Sequence, residues 1–135
     1  MISTKARYAL RVLIDLVQQQ NTKYVPLKDI ARRQEISEKY LEIILKILVK
    51  GKILKGLPGK GGGYMLTRLP SEYTVGEIIE LTEGPLAPVA CLMPDAEKCP
   101  RSENCITLQL WKKFDNITHD FFYGITLDDL INGNF

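Results

Sequence analysis

Three cysteines are the residues best able to do chemistry in this chain. Cys91, Cys99 and Cys105 fall within fifteen consecutive residues, Cys-Leu-Met-Pro-Asp-Ala-Glu-Lys-Cys-Pro-Arg-Ser-Glu-Asn-Cys, and the chain has no others. Pro94 and Pro100 oppose a continuous helix, so the stretch is predicted to be a loop. A loop can turn several thiolates toward one centre. An odd number of thiols cannot pair fully as disulfides within one chain. Thiolates are the usual ligands of zinc and of iron–sulfur clusters. Free cysteines are also often small buried hydrophobes. Here the neighbours Asp95, Glu97, Lys98, Arg101, Glu103 and Asn104 offer no apolar surroundings. The one histidine, His119, matches no Ser or Cys motif, so no nucleophile–base pair emerges and the chain is not expected to be an enzyme.

The elements that must position this loop follow from the rest of the chain. Its 135 residues suffice for one domain with a core, or a small domain plus an oligomerisation element. No apolar run approaches the ~20 residues of a membrane span, so no membrane partner is expected. The start, Met-Ile-Ser-Thr-Lys-Ala-Arg-Tyr, lacks a signal-peptide pattern. A cytoplasmic location is therefore expected, where thiols stay reduced. The net charge of +2 hides an asymmetry. Residues 1–70 carry 14 Lys and Arg against 5 Asp and Glu, a balance of +9; residues 71–135 carry 4 against 11, a balance of −7. A basic half suggests a polyanionic partner, although a basic face can also serve solubility alone.

Apolar spacing predicts a helix over residues 4–20 (Ala6, Ala9, Leu10, Leu13, Leu16, Val17), capped by Ser3 or Thr4 and ending in Gln18-Gln19-Gln20-Asn21. Pro26 suits the first turn of a short helix, Leu27 to Arg33. After a turn through Gln34-Glu35-Ile36, Ser37 is the N-cap of a longer helix to about Lys50, with Leu41, Ile44, Leu45 and Leu48 as its buried stripe. Such a pair is a helix-turn-helix. Ile53–Leu57 and Tyr64–Thr67 read as paired strands around Pro58-Gly59-Lys60-Gly61-Gly62-Gly63. The fold class is therefore mainly α with a small β-hairpin wing: a winged helix-turn-helix.

The glycine run is not a nucleotide fingerprint, because no Ser or Thr follows Lys60 and a strand follows rather than a helix. Gly59 and Gly61 let the wing turn tightly and bring backbone N–H groups toward DNA phosphates; Lys55 and Lys60 add charge. Thr74-Val-Gly-Glu77 is a capping box opening a helix through Ile78, Ile79 and Leu81 that Gly84 and Pro85 end. Ser102 is predicted to cap a long helix from Glu103 to Tyr123, ~30 Å in length. Its apolar residues include Ile106, Leu110, Trp111, Phe114, Ile117, Phe121 and Phe122, too many for a small basic domain to cover. The same helix of a second subunit is the expected partner, in a two-fold homodimer. Thr126-Leu-Asp-Asp129 opens a short last helix.

With these elements in place, the chain resembles the winged-helix transcriptional regulators named for redox response factor two. The motifs that carry the resemblance are Ser3-Thr-Lys-Ala-Arg-Tyr8-Ala-Leu, Pro26-Leu-Lys-Asp-Ile30-Ala, Ile36-Ser-Glu-Lys-Tyr40-Leu-Glu42, Gly61-Gly-Gly-Tyr64 and Glu83-Gly-Pro85-Leu-Ala-Pro88-Val. They span essentially the whole chain. The resemblance implies a cytoplasmic homodimer on a two-fold double-stranded DNA operator, usually as a repressor. The helix from Ser37 would enter the major groove and the wing the adjacent minor groove. Carried over by position, Glu42 is a base reader able to accept from cytosine N4. Lys39, Tyr40 and Lys46 approach phosphates or base edges. Ser3 and Lys5 touch the backbone, with Lys28 and Ser37 in the same surface. Core packing is the competing role for Tyr40. The expected division is residues 1–83 for DNA binding, 84–105 for the cysteine loop and 103–135 for the dimerisation helix and C-terminal segment, with Leu110, Trp111, Phe114, Ile117 and Phe121 at the dimer interface.

The resemblance also implies an iron–sulfur cluster, of two- or four-iron type, held by Cys91, Cys99 and Cys105 and reporting iron, cluster supply, oxygen or nitric oxide. The chain departs from the pattern in the fourth ligand. In the cluster-biogenesis branch a histidine lies three residues after the last cysteine; here that position is Leu108. His119 lies fourteen residues, ~21 Å, along the helix from Cys105, which suits a surface or dimer-interface residue. The nitric-oxide branch uses an N-terminal Asp of the partner, and Arg7-Tyr8 is poor for that purpose. Glu103, Asp95, solvent or a small thiol remain. The alternatives are the same scaffold as a cluster-free thiol or zinc sensor, or a non-DNA adaptor modulating a partner enzyme.

Overall fold

The computed structural model describes residues 2–19 and 23–135. Gln20 and Asn21, the expected end of the first helix, lie outside them. Helix α1 (Thr4–Gln18) starts where Ser3 Oγ accepts from Ala6 N at 3.1 Å. Helix α2 (Leu27–Gln34) ends in a left-handed residue, Glu35 (φ 55°), which swings the chain into α3 (Glu38–Lys50). Ser37 caps α3, its Oγ accepting from Tyr40 N at 3.2 Å. Strands β1 (Leu54–Leu57) and β2 (Gly63–Leu66) pair antiparallel with Leu54 opposite Leu66 and Leu57 opposite Gly63. The fold is thus mostly helical with a two-stranded wing.

The stripe predicted for α3 is the buried one: Leu41, Ile44, Leu45 and Leu48 are all fully covered. They meet Ala9, Val12, Leu13 and Leu16 of α1 and Ile30 and Ala31 of α2. Helix α1 also buries a charge. Asp15 is 2% exposed, and its carboxylate accepts from Arg33 Nε (3.0 Å), Arg33 Nη2 (2.9 Å) and Gln34 Nε2 (2.9 Å). Arg11 adds bonds to the carbonyl and side chain of Gln34. The end of α2 is therefore bolted to α1.

Two contacts set the wing. Val25 exchanges both backbone bonds with Tyr64 (2.8 and 2.9 Å), adding a bridge on the outer side of β2. The approach is so close that a Cβ on Gly63 would lie 2.2 Å from the Val25 carbonyl oxygen, which excludes any other residue there. At the wing's base, Tyr73 is fully buried. Its hydroxyl donates to Ile53 O (2.9 Å) and accepts from Thr67 N (2.8 Å) and Arg68 N (3.0 Å). One phenol so clips the chain entering β1 to the chain leaving β2.

Helix α4 (Val75–Glu83) opens with the expected capping box between Thr74 and Glu77. Helix α5 spans Leu108–Tyr123, five residues shorter at its start than the sequence suggests. Ser102 does not cap it: Ser102 N bonds Cys99 O (3.0 Å) and Asn104 N bonds Arg101 O (3.0 Å), so these residues form successive turns and Thr107 takes the cap position. Helix α6 (Leu127–Asn132) follows a capping box of Thr126 and Asp129. It returns to the first half of the chain. Val75 N bonds Ile125 O (2.8 Å), Leu127 N bonds Tyr73 O (3.1 Å), and Leu127 is fully buried in the core of α1–α3. Between Glu83 and Gly124, by contrast, no residue is buried.

Replacing Tyr73 by Phe removes the hydroxyl and strands the Thr67 and Arg68 N–H donors, while the Ile53 carbonyl keeps its bond from Thr67 Oγ1 at 3.1 Å. The expected loss is about 1–3 kcal/mol of unfolding free energy. A urea titration reads it as a lower midpoint at unchanged slope; an unchanged midpoint would remove Tyr73 from this role.

Candidate nucleic-acid interface and cysteine pocket

The outer face of α3 carries Lys39, Glu42 and Lys46, all exposed. They lie within about 60° around the helix at 100° per residue. Glu42 and Lys46 form an i,i+4 pair at 3.2 Å between side chains 53% and 73% exposed. Such a pair is worth about 0.3–0.5 kcal/mol, so either group can leave it for a base or phosphate at little cost. Tyr40 is half-buried, edge-on to Tyr8 with ring centroids 5.9 Å apart, while Arg11 lies 4.9 Å over the Tyr8 ring. Its ring thus joins α3 to α1, and packing is part of its role. Ser37 and Ser3 use their hydroxyls as helix caps. Ser3 N also bonds the Glu83 carboxylate. Lys5 is half-buried and Lys28 exposed. On the wing Lys55, Gly59, Lys60 and Gly61 are exposed; Gly59 (φ 88°) and Gly61 (φ 79°) hold the left-handed conformations of the tip, with open space beside both.

The cysteine loop brings its three thiols to one place. Cys91, Cys99 and Cys105 line a single pocket of about 280 Å³ with Leu92, Lys98, Ser102, Leu108 and Lys112. Cys91 is exposed and the other two half-buried. Among the described residues no three His, Cys, Asp or Glu side chains stand at metal-holding spacing, so the thiols share a pocket without converging on a point. A hydrogen bond with Thr107 Oγ1 (3.5 Å), backbone bonds and the charge of Arg101 lower the Cys105 pKa, favouring its thiolate. Three sulfur donors with two lysines nearby suit a soft metal or an iron–sulfur centre in donor chemistry. Leu108 supplies no ligand. Glu103 is turned to Lys98 at 3.6 Å, and Asp95 is exposed. By sequence, Lys98, Ser102 and Leu108 have no place in a pocket with the thiols and Lys112 is not singled out; i,i+4 spacing of Leu108 and Lys112 is the signal that places both on one face of α5.

Helix α5 buries none of its residues. Leu110, Phe114, Ile117 and Phe121 are 53–58% exposed in one stripe, and Trp111 is half-buried beside it. Phe114, Ile117 and Phe121 with Phe122 wall a groove of about 690 Å³ whose other side is Pro85–Pro88 and Ile2. The helix is held at its far end. Tyr123 donates to Glu80 Oε2 at 2.9 Å, and its ring covers Gly76. Burial, with Glu80 adding to it, pushes the phenol up to about 12, so it remains a donor. His119 is exposed and stacks on that ring at 4.3 Å.

Residues 2–133 match the family Rrf2, described as iron-dependent transcriptional regulator. The HTH-type transcriptional regulator IscR of Pectobacterium atrosepticum is 34% identical over 131 residues, 97% of this chain and 79% of that protein. Protein rrf2 of Nitratidesulfovibrio vulgaris is 34% identical over 96% of this chain and 86% of its own length. Among solved structures, CymR, the global cysteine regulator of B. subtilis, superposes with a TM-score of 0.78 at 32% identity, covering 100% of this chain and 98% of that one. IscR of T. potens gives 0.76 at 32% identity, covering 98% and 87%. No helix among the described residues is long and apolar enough to cross a membrane. The chain belongs to the Rrf2 family of winged-helix transcriptional regulators, and it is a regulator rather than an enzyme.

Proposed function

We propose that this chain acts as a homodimer on a two-fold double-stranded DNA operator, usually as a repressor in the cytoplasm, and that its DNA affinity is set by an iron–sulfur cluster held by Cys91, Cys99 and Cys105. The observation that carries the reading is the pocket itself: three thiols together, beside the first turn of an apolar helix that buries nothing. Helix α3 presents Glu42 to cytosine N4 in the major groove, with Lys39, Tyr40 and Lys46 beside it. The wing presents Lys55, Gly59, Lys60 and Gly61 to the minor groove, and Ser3, Lys5, Lys28 and Ser37 flank the phosphates. Leu110, Trp111, Phe114, Ile117 and Phe121 meet their counterparts in the second subunit. A cluster when bound supplies a centre that oxygen, nitric oxide or iron shortage can alter. The chain's own part is to hold the thiolates and to pass a change in loop geometry to α5. The shift in DNA affinity is then limited to the difference with which DNA binds the two arrangements.

A second reading has its own support. The thiols do not converge at metal-holding spacing, the Cys105 pKa is lowered by its hydrogen bond with Thr107, and CymR is described as a cysteine regulator. On this reading the same scaffold senses through bare thiols; zinc is its metal-bound form and, like a cluster, needs the loop to draw the sulfurs together. An adaptor role toward an enzyme remains the outcome if no DNA is bound.

Ultraviolet–visible spectra with iron and sulfide assays on anaerobically purified protein separate the two. Broad absorbance above ~300 nm with matching iron and sulfide is expected of a cluster, and Cys99→Ala should lose it while the dimer persists. Colourless protein that resists reconstitution selects the thiol or zinc reading. Replacing Glu42 by Ala is expected to cost about 1–3 kcal/mol at the preferred site, measured by anisotropy at one salt concentration, and to relax preference at one base pair. Equal weakening on all sequences would deny Glu42 a reading role. Ile117→Glu places a charge in the apolar stripe of α5 without touching the core. It should sediment as a folded monomer; an intact dimer would move the interface elsewhere.

A further inference from the structure

Glu42 has a neighbour on α3 that the roles above leave unused. Ile43 is 50% exposed, although α3 already buries Leu41, Ile44, Leu45 and Leu48 completely. Isolated apolar residues are ordinary on protein surfaces. Ile43 differs in its setting. At 100° per residue it lies on the outward arc with Lys39, Lys46 and Lys50, opposite the buried stripe, with Glu42 at the other edge. The other exposed members of that arc are charged. A β-branched residue there leaves half its surface in solvent and is a poorer helix former than the lysines and glutamate of the same arc. Cations on the arc draw the helix toward phosphates but cannot tell bases apart by charge alone. An aliphatic group in the same place has one apolar feature to meet in the major groove, the C5-methyl of thymine.

We infer that Ile43 is a specificity residue that packs its side chain on a thymine methyl next to the base pair read by Glu42. The inference rests on the DNA-binding reading of α3 and deepens it. Glu42 accepts a hydrogen bond from one base, and Ile43, the next residue along the helix, takes the adjacent step. The preferred half-site then carries a cytosine and a thymine at fixed spacing. Removing one buried methyl's worth of contact lowers affinity about fourfold per half-site.

The test starts from the full-length protein and a pool of randomised duplexes, from which the best-bound sequence is selected. Each thymine of that sequence is then replaced singly by deoxyuridine, which keeps every hydrogen-bonding group and lacks only the methyl. Affinities are measured at one salt concentration for the unaltered protein and for Ile43→Ala, whose substitution lies on the surface and leaves the core intact. The expected result is one thymine per half-site at which deoxyuridine weakens the unaltered protein about fourfold. At that position Ile43→Ala should bind thymine and deoxyuridine alike, while retaining its preference at the Glu42 base pair. Ile43→Val should restore part of the discrimination. If no thymine is sensitive, or if Ile43→Ala remains as sensitive as the unaltered protein, the inference is overturned while DNA reading by α3 stands. If the pool yields no preferred sequence at all, the reading of α3 fails with it.

Discussion

Asp15 is a buried carboxylate in the half of the chain whose charge balance is +9, and the geometry of that half depends on it. A lone buried carboxylate would cost several kcal/mol. Here Arg33 meets it with two parallel N–H bonds and Gln34 with a third, and this pairing raises the Arg33 pKa further, so the cation is permanent. Pairs of this kind add little net stability compared with apolar packing, but breaking one is expensive. Their effect is on geometry. Because the last turn of α2 is fixed to α1, the left-handed turn at Glu35 and the cap at Ser37 start α3 in one direction. The Tyr8–Tyr40 contact then holds α3 to α1 a second time. The wing is fixed by the same economy of means, one phenol at its base and one backbone bridge to Val25.

The second half of the chain follows a different rule. From Glu83 to Gly124 nothing is buried, and the loop holding the cysteines keeps its shape mainly through short-range backbone turns. Segments with few buried apolar contacts open at low free-energy cost. A rigid first half joined to a weakly held loop concentrates any ligand-driven change in the loop. Covering the stripe on α5 with a second subunit would supply the burial that this half lacks on its own.

The sequence shows the helices, the wing and the Thr74 capping box because each depends on neighbours a few residues apart: Ser37 with Tyr40, Thr74 with Glu77, the apolar stripe of α3. It also shows that three cysteines share a loop. What it hides are contacts between distant residues. Asp15 reads as one polar position in an apolar helix, with nothing to indicate that Arg33 and Gln34 will enclose it. Tyr73 looks like a surface aromatic before a capping box, yet its hydroxyl joins residues 53, 67 and 68. Leu127 falls by sequence in the C-terminal segment and belongs to the first core. The early start predicted for α5 has a local origin instead. Ser102 is a good cap locally, but the turns at Cys99–Ser102 and Arg101–Asn104 engage the backbone first.

These contacts define how the cysteine pocket and helix α3 are connected. Leu108 and Lys112 line the pocket from the first turns of α5. At the other end of α5, Tyr123 clasps Gly76 and Glu80 of α4. Helix α4 packs against α1 and α3, and the Glu83 carboxylate receives the Ser3 N–H at the start of α1. A tilt of α5 would therefore act on a continuous series of packed helices that ends at α3. Continuity alone does not make a switch, since a stiff series transmits a displacement without choosing between states. Choice requires two dimer arrangements that DNA binds unequally. A tenfold change in affinity needs a difference of only about 1.4 kcal/mol between them, comparable to one hydrogen bond made or lost at an interface. A weakly held loop beside an uncovered helix is able to supply a difference of that size, whereas the bolted first half is not.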